Sequence, residues 1–145
     1  MIAALALMLQ VATVPVAPPP VPATVTPPAK TGLPPQDWSN LPILRVRRPA
    51  TMLANTSAYV HGEVLAGRCA KAVRTPQGWT LTVDLAVLTT PEGRIRRVTP
   101  RAIDCPTVEQ YAAGVILGTA RDTIDVSDAE VESWYRTSLT FAWGA

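Results

Sequence analysis

Strict alternation of apolar and polar positions is clearest from Thr80 to Leu88. There Leu81, Val83, Leu85 and Val87 face one way and Thr80, Thr82, Asp84 and Ala86 the other. A period of two marks a half-buried strand. Thr90-Pro91-Glu92-Gly93 follows as a tight turn, proline supplying a fixed φ and glycine a positive one. Arg94 to Ile103 continues as a second strand and completes a hairpin. Its apolar Ile95 and Val98 stand three apart rather than two, which predicts a bulge or a twist. Ser133 to Trp143 alternates again, with Tyr135, Leu139, Phe141 and Trp143 on one face and Thr137 between them.

Elsewhere the apolar period lengthens. Thr51 to Leu65 reads as a helix, with Thr56 or Ser57 as its cap, Tyr59, Val60, Glu63 and Val64 at 3–4 spacing, and Gly67 as its stop. Asp104 to Ala120 reads as a second helix, capped by Asp104 or Cys105, with Pro106 in the first turn where no N–H is missed. Val108, Tyr111, Ala112, Val115 and Ile116 form its apolar stripe. Gly114 and Gly118 cost it about 1 kcal/mol each against alanine and suit a helix lying close to a sheet. Ile43 to Arg47 is a short strand ended by Pro49, Trp38 in the turn Asp37 to Asn40 is a candidate anchor, and Arg121 to Glu132 is a solvated loop. The order helix, strand, strand, helix, strand predicts an α+β fold: a small antiparallel three-stranded sheet with two helices on one face, after a disordered proline-rich segment.

Composition sets the boundaries. The chain has 145 residues and 15 prolines, and eleven of those prolines fall between Pro15 and Pro49. Pro15 to Pro35 holds nine of them in 21 residues and reads as extended polyproline II with a reach of roughly 60 Å. It is a tether or linker rather than a ligand for another module, because no basic residue flanks a clean PxxP core. Ahead of it, the 13-residue apolar run from Ile2 to Val14 fits the core of a signal peptide and falls short of the ~20 residues of a spanning helix. Neither a preceding basic residue nor an Ala-x-Ala site accompanies it. Export with cleavage between Ala12 and Ala17, an uncleaved anchor, and a longer upstream segment are the three readings. The expected organisation is 1–14 signal peptide or short anchor, 15–42 spacer, and 43–145 folded domain.

The net charge of +2 is unevenly spread. Ile43 to Arg101 carries ten basic and three acidic residues, a net of +7; Ala102 to Ala145 carries two and seven, a net of −5. Arg94, Arg96, Arg97 and Arg101 fall on both faces of the second strand with no interleaved aromatics, so a solvated face balanced by the acidic loop is favoured over nucleic acid. Asp122, Asp125 and Asp128 lack the order of an EF-hand, and no metal is expected. His61, the single histidine, reads as a surface residue near Glu63. No nucleophile elbow, metalloprotease helix, C-x-x-C or phosphate loop is present. The expectation is no catalytic residue, no cofactor and no small-molecule substrate.

Cys69 and Cys105 are the only cysteines. In an exported protein they are expected to pair, closing a loop of 36 positions worth about 4 kcal/mol on the chain-entropy model. The alternative is a reactive thiol at Cys105, whose pKa a helix amino terminus would lower.

The carboxy-terminal part resembles a TonB carboxy-terminal domain. The likeness rests on the alternating strand Leu81 to Val87, Pro91-Glu92-Gly93-Arg94-Ile95 at the hairpin, the helix opening Cys105-Pro106-Thr107-Val108, and the last strand Trp134-Tyr135-Arg136-Thr137-Ser138-Leu139-Thr140-Phe141. It covers roughly Ala58 to Trp143, and the proline spacer behind an apolar amino terminus matches the family's layout. After Ala120 the chain reads Arg121-Asp122-Thr123-Ile124 where the family usually carries Tyr-Pro, and the apolar run lacks the family's anchor histidine.

The resemblance implies a periplasmic domain that binds outer-membrane transporters, through addition of an extended transporter peptide to a sheet edge. It also implies a link to inner-membrane motor proteins and support for uptake of siderophores or other nutrients. Independently of the name, an exposed strand edge offers unpaired N–H and C=O groups to a partner. Arg136, Thr137, Ser138 and Thr140 lie on such an edge if the last strand is outermost. The other reading makes that strand central, or capped by Ile43 to Arg47. The alternative function is a free disulfide-stapled periplasmic protein with a structural or binding role and no motor.

Overall fold

The computed structural model describes residues 32–46, 50–118, 124–126 and 130–145. The apolar run Ile2 to Val14, the proline tract up to residue 31, and Asp122 and Asp128 lie outside the described residues. In chain order the elements are β1 (Arg45–Val46), α1 (Ala50–Leu65), β2 (Val73–Thr75), β3 (Gly78–Thr89), β4 (Ile95–Pro100), α2 (Pro106–Leu117), β5 (Ile124–Asp125) and β6 (Ser133–Trp143). The fold is α+β, with antiparallel sheets and two helices.

The long β3 is central, its 12 residues pairing along both edges. Along one edge runs β6, antiparallel, from Trp79 opposite Trp143 to Thr89 opposite Ser133. The other edge is shared: β2 pairs with the first residues of β3 and β4 with the last. The sheet therefore has four strands rather than three. The expected bulge lies in β4, where Leu88 faces Arg97 but Thr89 faces Ile95, leaving Arg96 as the extra residue.

The inward residues of β3 and β6, Leu81, Val83, Leu85, Val87, Leu139 and Phe141, are buried together with Val60 of α1 and Val108, Ala112 and Ile116 of α2. Each large side chain so buried contributes about 1.5–3 kcal/mol. α1 packs on β6 and α2 on β4, so the helices form one layer.

Several details differ from the sequence reading, each for a physical reason. α1 starts at Ala50, so Thr56 and Ser57 lie inside the helix, where both are buried. Gly114 and Gly118 do not serve close packing: a Cβ at Gly114 would meet nothing, and one at Gly118 would meet only the helix's own carbonyls. The acidic stretch is not wholly solvated, because Ile124 and Asp125 pair with Val46 and Arg45, and Val126 enters the core. His61 is half-buried, stacked on Trp143 at 5.3 Å between ring centroids.

Packing reaches back past residue 43 to Gly32, whose carbonyl accepts from Arg97 Nη1. Trp38 is buried beneath the Arg101 guanidinium, 4.5 Å from its ring centroid, and donates Nε1–H to the Pro35 carbonyl at 2.8 Å. Arg136 Nε donates to the Leu41 carbonyl at 3.1 Å. Residues 32–44 thus form a strap that crosses the sheet face opposite the helices and ends along the edge of β6 at Pro42 to Leu44. Ala86 and Leu88 point to that face, between cross-strand partners that include Arg136 and Arg97, and are buried there.

Candidate functional site

A strand edge left unpaired offers main-chain groups to another chain, and the outer edge of β6 is one such edge. β3 is the only strand of the four-stranded sheet paired with β6, so β6 is outermost on that side. Its edge is not uniformly open. The Arg136 N–H donates to the Pro42 carbonyl at 2.9 Å, and the Arg136 carbonyl accepts from Leu44 N–H at 2.8 Å. Ile43 and Arg136 form an isolated parallel bridge there. At the other end Ala142 N–H donates to Ser57 Oγ at 3.1 Å. An interior helix serine, singled out in the sequence as a cap, instead closes one end of a strand edge.

Main-chain groups alternate sides along a strand. Since those of Arg136 point outward, so do those of Ser138, Thr140 and Ala142. The intervening Thr137, Leu139 and Phe141 turn theirs toward β3. The side chains agree. In close, non-hydrogen-bonded pairs they nearly touch: Thr82 Oγ1 lies 2.9 Å from Thr140 Oγ1, and Ser138 Oγ donates to Asp84 Oδ1 at 2.7 Å.

Among the described residues nothing bonds the outward N–H and C=O of Ser138 and Thr140, which form an open window between two closed positions. Of the four residues proposed for this edge, Ser138 and Thr140 are on it, and Arg136 is on it but held by the strap. Thr137 is turned inward, because one residue along a strand reverses both side chain and hydrogen-bonding direction. Both sequence alternatives hold in part: the strand is outermost, and Ile43 with its neighbours caps one end. Ser57 was missed. No local pattern marks it, since its role depends on a contact 85 positions away.

The window sits on a braced frame. Cys69 and Cys105 form a disulfide between the end of α1 and the start of α2, and both are buried. Beside it, Arg68 grips Glu63 with two hydrogen bonds, Nε to Oε2 at 2.8 Å and Nη2 to Oε1 at 2.6 Å. Thr107 Oγ1 donates to Glu63 Oε2 at 2.6 Å. The Arg68 bonds first, and then the Thr107 bond, hold the Glu63 carboxyl down at about 2. The start of α2 is closed by Glu109 Oε1, which accepts from the N–H groups of Ile103 at 2.8 Å and Cys105 at 3.1 Å. Among the described residues, no three His, Cys, Asp or Glu side chains gather as a metal site would require.

No model of a known protein family, no curated protein and no solved structure matches this chain.

Proposed function

We propose that this chain is a TonB-like periplasmic binding domain, exported and carried on its proline-rich spacer. An extended peptide segment of an outer-membrane transporter adds to the edge of β6. The observation that carries this reading is the window at Ser138 and Thr140: four outward main-chain groups on an outermost strand of the four-stranded sheet. Strand addition satisfies such groups and takes its affinity from main-chain hydrogen bonds. The role is binding in support of energy-dependent nutrient or siderophore uptake, without catalysis. Coupling to inner-membrane motor proteins would run through the spacer and the amino-terminal segment.

A second reading has its own support. The strap and Ser57 already close both ends of the edge, as befits a free disulfide-stapled periplasmic protein with a structural or other binding role and no motor.

Calorimetric titration of the chain with periplasmic amino-terminal peptides of the native cell's outer-membrane transporters separates the two. The proposed function predicts saturable binding that Thr140→Pro abolishes, since proline removes one N–H of the window. Binding by none of the peptides, or binding unaffected by Thr140→Pro, would overturn it.

A further inference from the structure

The helix layer turns an uncharged surface outward. A helix facing water ordinarily carries charged or polar residues on that side. Here every exposed residue of α2 (Pro106, Thr107, Gln110, Gly114 and Leu117) is uncharged, and so is every exposed residue of α1 from Asn55 onward. The two carboxylates of these helices are engaged elsewhere. Glu63 is buried against Arg68 and Thr107, and Glu109 accepts from the N–H groups of Ile103 and Cys105. Between the helices lies an open groove of about 590 Å³ lined by Tyr59, Pro106, Thr107, Gln110 and Tyr111. Its wall is aromatic: the Tyr59 and Tyr111 ring centroids are 4.3 Å apart, and Tyr59 is 42% exposed.

An aromatic, uncharged groove suits polyproline II, a preformed helix that docks on aromatic side chains at low entropic cost. Polyproline II has no internal hydrogen bonds, so its carbonyls are free to accept from the Gln110 amide and the two tyrosine hydroxyls. The chain carries such a segment ahead of Gly32: residues 15–31 hold seven prolines, densest at Pro18-Pro19-Pro20-Val21-Pro22, and their one charge is Lys30. The segment is also long enough. Gly32 is held by Arg97 on the outer sheet face. Tyr111 packs on Phe141, whose partner Leu81 lies seven residues along β3 from Leu88, the partner of Arg97, or about 23 Å. The intervening helix adds about 10 Å. Twelve residues from Pro20 to Gly32 span roughly 37 Å as polyproline II, which covers that path.

We infer that Pro18 to Pro22 of this chain dock on the Tyr59–Tyr111 groove, so that the spacer folds back on its own domain. The lack of a flanking basic residue is no obstacle, because no acidic side chain lines this groove. The tether makes the contact intramolecular, at an effective concentration in the ~mM range, so an intrinsically weak contact suffices. The spacer is shortened while docked and extends on release. The inference is independent of the strand-addition reading, which concerns Ser138 and Thr140.

The test is nuclear magnetic resonance of the isotope-labelled full chain. The expected result is nuclear Overhauser contacts from the Pro18 to Pro22 protons to the Tyr59 and Tyr111 rings, unchanged on about tenfold dilution because the contact is intramolecular. In the full chain carrying Pro18→Ser, Pro19→Ser and Pro20→Ser those contacts should be lost. The Thr107, Gln110 and Tyr111 amides should then shift while those of Ser138 and Thr140 stay in place. The three substitutions touch no residue of the core, so they read the contact without loosening the domain. Tyr59→Ala should release the segment as well. Absence of the contacts, or groove amides indifferent to the proline substitutions, would overturn the inference. Contacts that disappear on dilution would also overturn it, by assigning the groove to the spacer of a second copy. Each of these results leaves the β6 edge untouched, since that edge is read by transporter peptides and Thr140→Pro.

Discussion

Leu44 donates its main-chain N–H to the Arg136 carbonyl at 2.8 Å while its side chain is buried in the core on the helix side of the sheet. One residue thus closes part of the β6 edge and anchors the strap that closes it. Leu44→Ala should cost about 2–4 kcal/mol, as for other buried leucines, and should also free the Arg136 amide to exchange with solvent. Chemical denaturation with amide exchange checks both. Loss of stability with Arg136 still protected would show that the strap does not depend on Leu44.

The Cys69–Cys105 bridge closes 36 positions between the helices. Replacing both cysteines by alanine should lower stability by about 2–4 kcal/mol. Treatment of the unreduced protein with iodoacetamide should add no mass, and treatment after reduction should add two alkyl groups. Alkylation without reduction would contradict the bridge.

Glu63 makes stability depend on acid. Its carboxyl is lowered from 4.5 to about 2, so the folded state binds its proton more weakly than the unfolded one. The stabilisation is fully present above pH 4.5 and is lost as pH falls through about 2. Thermal melts from neutral to acid pH should therefore fall in that window, and Glu63→Gln should flatten the fall. An unchanged acid profile in Glu63→Gln would count against the Arg68–Glu63–Thr107 cluster.

Two glycines should respond in opposite directions. Gly114 lies in α2 and a Cβ there meets nothing, so Gly114→Ala should stabilise by about 0.5–1 kcal/mol through helix propensity. Gly78 has φ +133°, and a Cβ would come 2.2 Å from the Trp143 carbonyl oxygen. Gly78→Ala should destabilise by at least about 1–3 kcal/mol. Denaturant midpoints of the two variants moving the same way would refute the contrast.

The strands that carry the frame were legible because burial on one face imposes a period of two over many residues. Thr80 to Leu88 and Ser133 to Trp143 read correctly for that reason, and Pro106 likewise marked the start of α2. β2 was missed because Val73 to Thr75 is too short to show a period. Apart from Trp38 and Ile43, the strap carries the composition of a spacer, because its order comes from distant partners: Trp38 from Arg101, Gly32 from Arg97, Leu41 from Arg136. At the β6 edge the strand itself is visible in the sequence, and so is its alternation. Its two ends were set by Ser57 and Leu44, which reach it across the fold and leave no local trace.

The most direct test is amide hydrogen exchange of the full chain, alone and with an outer-membrane transporter peptide. The account predicts fast exchange at Ser138 and Thr140 in the free protein and slower exchange at Arg136 and Ala142, whose N–H groups are bonded. Ser138 and Thr140 should then become protected on peptide binding. Protection of Ser138 and Thr140 in the free protein, or peptide binding that leaves both exchanging freely, would contradict β6 as the binding edge.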